Sequence, residues 1–302
     1  MAEQVAVIGA GGFVGQALVA ALVERGTPVQ LPRTSERNVS SVVNHPTQVD
    51  DFLRLVADAS TVIHVASTST PGGSAGQPLL ELQGNLHPTL ALLEALQQHP
   101  RAHLIYVSSG GALIPRSGEV ADEGAAVLSS SYYGAGKIAA EHFIEAWCHQ
   151  ANGRATVLRP SNLYGPGQRE RPGFGVIPAA MGALAGDEVL QVWGDGSSGR
   201  DYLYIDDFVH LLLTVMTAPA NPGFRVFNAC SGRITSLNGL LELLENVSGR
   251  TLRRVYSRAR TVDAPTVCMQ ATKAREAFDW VPEIELTEGL RRTWRWFVDI
   301  QH

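Results

Sequence analysis

Tyr133 and Lys137 are the residues whose types and spacing first suggest chemistry. They bracket the run Tyr133-Gly134-Ala135-Gly136-Lys137, which opens a stretch with helical spacing of apolar residues over 132–150. Positions i and i+4 share one face of a helix, so the phenol and the ammonium can meet. An unperturbed phenol has a pKa of about 10, and a nearby cation favours the phenolate and lowers that value. A phenol tuned in this way moves protons to and from a hydroxyl or a carbonyl. Taken alone the spacing is also that of an ordinary surface pair, so its meaning depends on the elements around it.

A glycine-rich run near the start of the chain supplies that context. Gly9-Ala10-Gly11-Gly12-Phe13-Val14-Gly15 follows an apolar run at 5–8 and opens a helical pattern at 13–25. In such a turn one glycine permits the tight bend, another lets the backbone approach a pyrophosphate, and a third lets helix and strand pack closely. The helix N-terminus then offers unpaired N–H groups and a positive dipole to phosphate. Strand, turn and helix in this order predict a dinucleotide site; the plainer alternative is a turn that binds nothing. The second strand, expected near 29–31, runs into Pro32, Arg33, Thr34, Ser35 and Glu36. An acid normally stands at its end to bind a ribose 2′-hydroxyl, and Arg33 stands there instead. A guanidinium suits a 2′-phosphate, so NADP is the expected cofactor and NAD the alternative.

Both features need a scaffold, and the pattern along the chain provides one. Apolar strand-like runs at 5–8, 29–31, 61–65, 103–108 and 155–159 alternate with helical patterns at 13–25, 49–58, 79–98 and 132–150, with a weaker strand signal at 39–43. This alternation predicts an α/β fold: a Rossmann-type doubly wound parallel sheet with right-handed crossovers. After Arg159 the texture changes to glycine- and proline-rich sequence, with helices expected at 176–185, 206–218, 236–248, 272–278 and 287–298 and strands at 189–193 and 226–228. The expected division is a dinucleotide-binding domain, 1–162 plus about 203–229. A smaller, discontinuous C-terminal substrate region takes about 163–202 plus 230–302.

Several motifs in one order resemble the extended short-chain dehydrogenase/reductase family, in its nucleotide-sugar branch. They are the glycine turn at 9–15, Thr61 to Ser67 after the strand at 61–65, Asn85-Leu86-His87-Pro88-Thr89, Tyr133 with Lys137, and Leu158-Arg159-Pro160-Ser161-Asn162-Leu163-Tyr164-Gly165-Pro166-Gly167-Gln168. Trp193-Gly194-Asp195-Gly196, Arg200-Asp201-Tyr202, and Arg260 with Asp263 complete the series. The resemblance implies that Tyr133 is the general acid/base and that Lys137 binds the nicotinamide ribose and lowers the phenol's pKa. Gly9, Gly12, Phe13, Val14, Gly15, Arg33, Val65, Ala66, Ser67, Asn85, Ser108 and Pro160 would complete the cofactor site. Asn162, Arg200 and Arg260 would hold the diphosphate of a nucleotide sugar, and Asp263 its ribose. Arginine forks suit phosphate oxygens; a salt bridge of Arg200 with Asp201 or Asp206 is the structural alternative.

One departure bears on catalysis. The family carries a Ser or Thr after the strand that precedes the Tyr–Lys helix. Here the run is Ser108-Ser109-Gly110-Gly111, and counting from the strand puts Gly110 where the hydroxyl belongs. Ser109 is the nearest substitute, with Ser108 behind it, and Gly110 would lie at the substrate. His64 reads as a packed strand residue.

The resemblance implies a nucleotide-sugar epimerase acting at C4 through a transient keto-sugar. A nucleotide-linked 4-ketosugar reductase using NADPH is the runner-up, and a catalytically silent cofactor-binding scaffold is an alternative of another class. Composition fits a small-molecule enzyme. Over 302 residues there are 24 Lys+Arg and 29 Asp+Glu, a net charge of −5, which argues against nucleic-acid binding. No apolar run reaches the roughly 18 residues of a membrane helix, and the chain enters a strand too early for a signal peptide. Cys148, Cys230 and Cys268 show neither a disulfide framework nor zinc spacing. A cytoplasmic location, no metal, and a homodimer built on the helices at 79–98 and 132–150 are the remaining expectations.

Overall fold

The computed structural model describes residues 4–32, 48–70, 72–113, 120–127, 129–170, 175–219, 221–258 and 268–300. In chain order they hold β1 (Gln4–Ile8), α1 (Phe13–Glu24), β2 (Val29–Gln30), α2 (Val49–Val56), β3 (Ala59–His64), α3 (Pro78–Glu81), a π-helical turn (Leu82–Leu86), α4 (His87–Leu96), β4 (His103–Val107), α5 (Gly110–Leu113), β5 (Val120–Ala121), α6 (Tyr132–Ala151) and β6 (Arg154–Pro160). Then come β7 (Asn162–Tyr164), α7 (Val176–Gly186), β8 (Val189–Trp193), β9 (Gly199–Tyr204), α8 (Ile205–Thr217), β10 (Gly223–Ala229), β11 (Ile234–Ser236), α9 (Leu237–Ser248), β12 (Arg253–Ser257), β13 (Cys268–Met269), α10 (Thr272–Phe278) and α11 (Leu286–Asp299). Two compact units share the chain: Met1–Leu113, Leu128–Arg159 and Val209–Phe227 form the first, and Ile114–Val127, Pro160–Phe208 and Asn228–His302 the second.

The first unit is built on a six-stranded sheet of order β10-β6-β4-β3-β1-β2. The β1–β2, β1–β3, β3–β4 and β4–β6 pairs are all parallel. Parallel strands joined by helices are covered on both faces, which is why β4 (His-Leu-Ile-Tyr-Val) is buried at every position. Phe52 of α2, Leu92 and Leu96 of α4, and Ile144 and Trp147 of α6 pack with Ala6, Val62 and Leu104 of the strands in one core cluster. Strand order reverses between β1 and β3, and ligands of such sheets bind beyond the carboxyl ends of the strands at that reversal. The loops that follow β1 and β3 carry Gly9 and Ala66.

The stretch expected as one helix at 79–98 is broken in the middle. Between α3 and α4 the His87 N–H reaches back five residues to the Leu82 carbonyl, a π-type bond. Pro88 lacks the N–H that would continue the α pattern to Gly84. Gly84 also lies against Thr68: a Cβ built there would stand 2.2 Å from Thr68 Oγ1. The weak strand expected at 39–43 lies outside the described residues.

The second unit carries a three-stranded sheet of order β11-β9-β7 and two two-stranded ladders, β12-β8 and β13-β5. Its helices α7, α9, α10 and α11 match the helical patterns at 176–185, 236–248, 272–278 and 287–298 to within about two residues. Buried Asp207 anchors the start of its C-terminal segment: its carboxylate accepts the N–H groups of Glu283 and Ile284, each at 3.0 Å. Among the described residues no helix is long and apolar enough to cross a membrane.

Candidate active site

The glycine turn owes its form to two close approaches. Gly9 has φ +94°, and a Cβ there would stand 2.5 Å from the Ala66 backbone nitrogen, so only glycine lets the β1 and β3 loops meet. A Cβ on Gly15 would lie 2.0 Å from the Gly9 carbonyl oxygen, so α1 packs tightly against the turn. Gly12 bonds its N–H to Gly9 O at 3.0 Å and caps α1 without a side-chain partner. A Cβ on Gly11 would meet nothing within 4 Å, and the first turn of α1 carries no acid. Backbone N–H groups at an uncapped helix start with no carboxylate beside them fit the pyrophosphate of a dinucleotide. Phe13 and Val14 are half-buried in the first turn of α1. Arg33, the expected partner of a 2′-phosphate, lies outside the described residues.

The loop after β3 continues this wall. Val65 donates its N–H to Ile8 O at 2.9 Å, Ala66 is buried, and Ser67 is exposed with its hydroxyl on Ser69 O at 3.0 Å. Asn85, in the π turn, accepts the Thr68 N–H at 2.8 Å and donates from Nδ2 to Ser69 Oγ at 2.8 Å and Glu81 Oε1 at 2.9 Å.

α6 brings Tyr133, Lys137 and Glu141 onto one face, four residues apart. Ser131 caps the helix, its hydroxyl accepting the Gly134 N–H at 3.1 Å, which fixes the turn that carries Tyr133. Lys137 is buried; its Nζ donates to the Val107 carbonyl at 2.9 Å and lies 4.8 Å from the Tyr106 ring centre and 5.8 Å from that of Tyr133. The Ser109 hydroxyl bonds the Tyr133 side chain and favours its phenolate. Ser108 is engaged elsewhere: it donates to Glu141 Oε1 at 2.5 Å. Glu141 in turn takes a forked bond from Arg159, with Nη2 to Oε2 at 2.6 Å and Nε to Oε1 at 3.1 Å, both side chains about 7% exposed. Ser109 thus supplies the hydroxyl near the phenol, while Ser108 belongs to a buried ion pair. Gly110, buried, opens α5. His64 is 2% exposed and packs edge-on against Tyr106 with its Nε2 at 3.3 Å from Thr89 Oγ1, a strand residue held in the core.

The electrostatics correct one expectation. The spacing predicts a phenol lowered by Lys137, yet burial pushes Tyr133 up to about 12, eased by the Ser109 bond and raised further by Glu81. Lys137 Nζ lies 5.8 Å from the Tyr133 ring centre and is bonded to the Val107 carbonyl. Burial pulls Lys137 down from its usual 10.5 to about 8, against the upward pull of Glu81 and Glu141.

The second unit holds the remaining candidates. Asn162 and Arg200 lie on the paired strands β7 and β9, where Asn162 stands opposite Tyr202. Asn162 donates from Nδ2 to Asp201 O at 2.8 Å. Arg200 Nη1 donates to Ser198 Oγ at 2.8 Å and Gly199 O at 2.7 Å. Asp201 is a buried hub: its carboxylate accepts Ser161 Oγ at 2.5 Å, the Ser231 N–H and hydroxyl at 2.9 Å each, and the Arg233 N–H at 3.1 Å. Pro160 is buried at the end of β6. Arg260 and Asp263 lie outside the described residues. Glu81, Ser69 and Glu141 were marked by no motif, because their association is through space, and Arg159, inside the motif at 158–168, had no role assigned to it.

Comparison with known proteins agrees with this arrangement. The pattern of the NAD dependent epimerase/dehydratase family matches residues 5–230, well over half of the chain. The chain belongs to this family. Among its relatives, the dTDP-4-dehydro-6-deoxyglucose reductase of Escherichia coli is 26% identical over 95% of both chains. The UDP-glucose 4-epimerase of Mycolicibacterium smegmatis is 28% identical over 96% of this chain and 97% of that one. The crystal structure of a UDP-glucose 4-epimerase from Thermotoga maritima, holding UDP-glucose, superposes with a TM-score of 0.90 at 28% identity, covering 99% of this chain and 100% of that one. The epimerase/dehydratase family and the Rossmann-type sheet are therefore shown, and with them an enzyme that depends on a nicotinamide dinucleotide.

Proposed function

We propose that the chain is a nucleotide-sugar epimerase acting at C4 through a keto-sugar, with Tyr133, Lys137 and Ser109 as its reacting group. The observation that carries this reading is the Tyr133–Lys137–Ser109 cluster in the same unit as an uncapped glycine turn. A nicotinamide bound there supplies a hydride acceptor and donor and, when oxidised, a positive charge that favours the phenolate. The chain's own residues handle the proton. Tyr133 takes it from the sugar hydroxyl and returns it to the keto oxygen, Ser109 bonds the phenol, and the Lys137 ammonium offsets negative charge as the phenol ionises. Gly9, Gly12, Phe13, Val14 and Gly15 would hold the dinucleotide with Val65, Ala66, Ser67, Asn85, Ser108 and Pro160. Asn162, Arg200 and Arg260 would take the diphosphate and Asp263 the ribose. Arg33 supports NADP, with NAD the alternative.

The Tyr133→Phe variant tests the assignment. Turnover should fall by about 10²–10⁴-fold with cofactor binding retained, the usual loss of a general acid/base. Near-normal turnover would sink it. The second reading, a 4-ketosugar reductase, is favoured by Arg33 and by the reductase relative. Denaturing protein purified without added cofactor separates the two: stoichiometric released dinucleotide supports an epimerase that recycles its cofactor, and an empty protein that prefers NADPH supports a reductase.

The same reading carries a cytoplasmic location, where the three cysteines, free in the structure, would stay reduced. It also carries a homodimer. The α3–α4 stretch and α6 leave Leu79, Leu82, Tyr132 and Phe143 exposed, more apolar surface than packing on their own sheet requires.

A further inference from the structure

Glu81 falls in no motif, yet it is 4% exposed and lies against α6, the helix that carries Tyr133 and the buried Lys137. Its Oε1 accepts Asn85 Nδ2 at 2.9 Å and its Oε2 accepts the Ser69 hydroxyl; both donors are neutral. The helix on the other side is shaped to admit it. A Cβ on Gly136 would stand 2.4 Å from Glu81 Oε1, so the residue just before Lys137 has to be glycine for the carboxyl to lie there. A glycine inside a helix costs about 1 kcal/mol relative to alanine. Asn85 lies four residues on, in the π turn, and its one amide holds both Ser69 and the carboxyl.

The titratable groups that feel this carboxyl come from two other elements: Tyr133 and Lys137 of α6, which flank Gly136, and Tyr106 of β4. Glu141, one turn further along α6, acts on Lys137 and Tyr106 as well. Glu141 is matched by the forked bond from Arg159 and by Ser108. Lys137, itself buried, is the residue next to Gly136, where Glu81 meets α6. A carboxylate held by neutral donors in a low-dielectric site acts strongly on the nearest cation and on the nearest acid.

We propose that Glu81 is a positioning residue of the tyrosine–lysine pair: its carboxylate, clamped by Ser69 and Asn85 against Gly136, keeps Lys137 as an ammonium and Tyr133 as a phenol. The pair is thereby biased toward giving a proton to a ketone and away from taking one from an alcohol. The catalytic meaning of this proposal rests on Tyr133 being the reacting group; its electrostatic content does not. Directions agree: Glu81 raises both Tyr133 and Lys137.

The chain itself supplies a clean probe, because its only lysines are Lys137 and Lys273, and Lys273 is exposed on α10. Protein grown on lysine labelled with ¹³C at Cε gives two side-chain signals, assigned with the Lys137→Met variant. No sugar or cofactor is needed. The Lys137 signal should titrate near 8. In Glu81→Gln, which keeps size and one acceptor oxygen but removes the charge, the midpoint should fall by about one unit, with the Lys273 signal unmoved. Glu81→Asp, which draws the carboxylate back by one methylene, should shift it less, and serves alone where the Gln variant does not fold. A purely structural role predicts the opposite pattern, a lower melting temperature with an unmoved midpoint, and that result overturns the proposal. With substrate, the acid limb of kcat/KM for alcohol oxidation should move to lower pH in Glu81→Gln. A Tyr133→Phe protein with full turnover would overturn the catalytic part, while an unmoved Lys137 midpoint beside an inactive Tyr133→Phe would overturn the proposal and leave the site assignment standing.

Discussion

At the scale of single residues, two adjacent serines have separate work. Ser109 reaches the phenol of Tyr133, and Ser108 reaches a carboxylate that is already bound by Arg159. Ser109→Ala should lower kcat by about 10-fold or more while leaving thermal stability near wild type. Ser108→Ala should cost about 1–3 kcal/mol of stability, because a buried carboxylate oxygen loses its donor. Steady-state kinetics and urea denaturation of the two variants side by side check both. Lys137 makes a further prediction. Its folded-state pKa of about 8 lies below the unfolded value of 10.5, so between these values the unfolded chain binds the extra proton and stability rises with pH. Lys137→Met removes this rise. Urea melts at pH 7 and 9.5 should therefore show stability rising with pH in the wild type and a flatter dependence in the variant. Tyr133, Lys137 and Gly9 were marked by spacing read together with the order of the elements around them. The hydroxyl was harder, because counting from a strand end misplaces it by one residue: Gly110 begins α5 and Ser109 faces the phenol. Glu81 was not legible, since its partners Ser69 and Asn85 share no period with it and Gly136 serves it from another helix.

At the scale of elements, the glycine turn shows that glycines in one motif are not equivalent. Gly9→Ala places a Cβ 2.5 Å from Ala66 N at φ +94° and should unfold the turn, abolish cofactor binding and lower the melting temperature by several degrees. Gly11→Ala meets nothing within 4 Å and should leave stability within about 0.5 kcal/mol of wild type. Differential scanning calorimetry with a cofactor titration separates them. The strands of the main sheet were readable as apolar runs because both their faces are covered. β5, β7, β11 and β13 were not, being two or three residues long. β12, Arg-Arg-Val-Tyr-Ser, leaves Val255 and Tyr256 exposed and so offers no buried face to read. The π turn escaped for a different reason. Leu82, Leu86, Leu90 and Leu93 keep helical spacing straight through it, so periodicity reports one helix where the hydrogen bonds shift.

At the scale of the molecule, the α/β class and the extended family could be read from the order of motifs, and the family match and the Thermotoga maritima structure agree with that reading. If the exposed leucines and phenylalanine of α3, the π turn and α6 form the homodimer surface, Leu82→Glu with Phe143→Glu should give a monomer by light scattering, with the fold retained by circular dichroism. Connectivity has a consequence of its own. Each unit is assembled from three separate stretches, so the chain passes from one to the other five times. The first unit's sheet is completed by β10, which ends at Ala229. During synthesis, therefore, a ribosome must deliver about three quarters of the polypeptide before the last strand can dock, and β1 to β6 wait with an open edge until it does. Nascent chains stalled before residue 223 should be protease-sensitive and chaperone-bound, and those stalled far enough past 229 for β10 to have cleared the ribosome should become resistant.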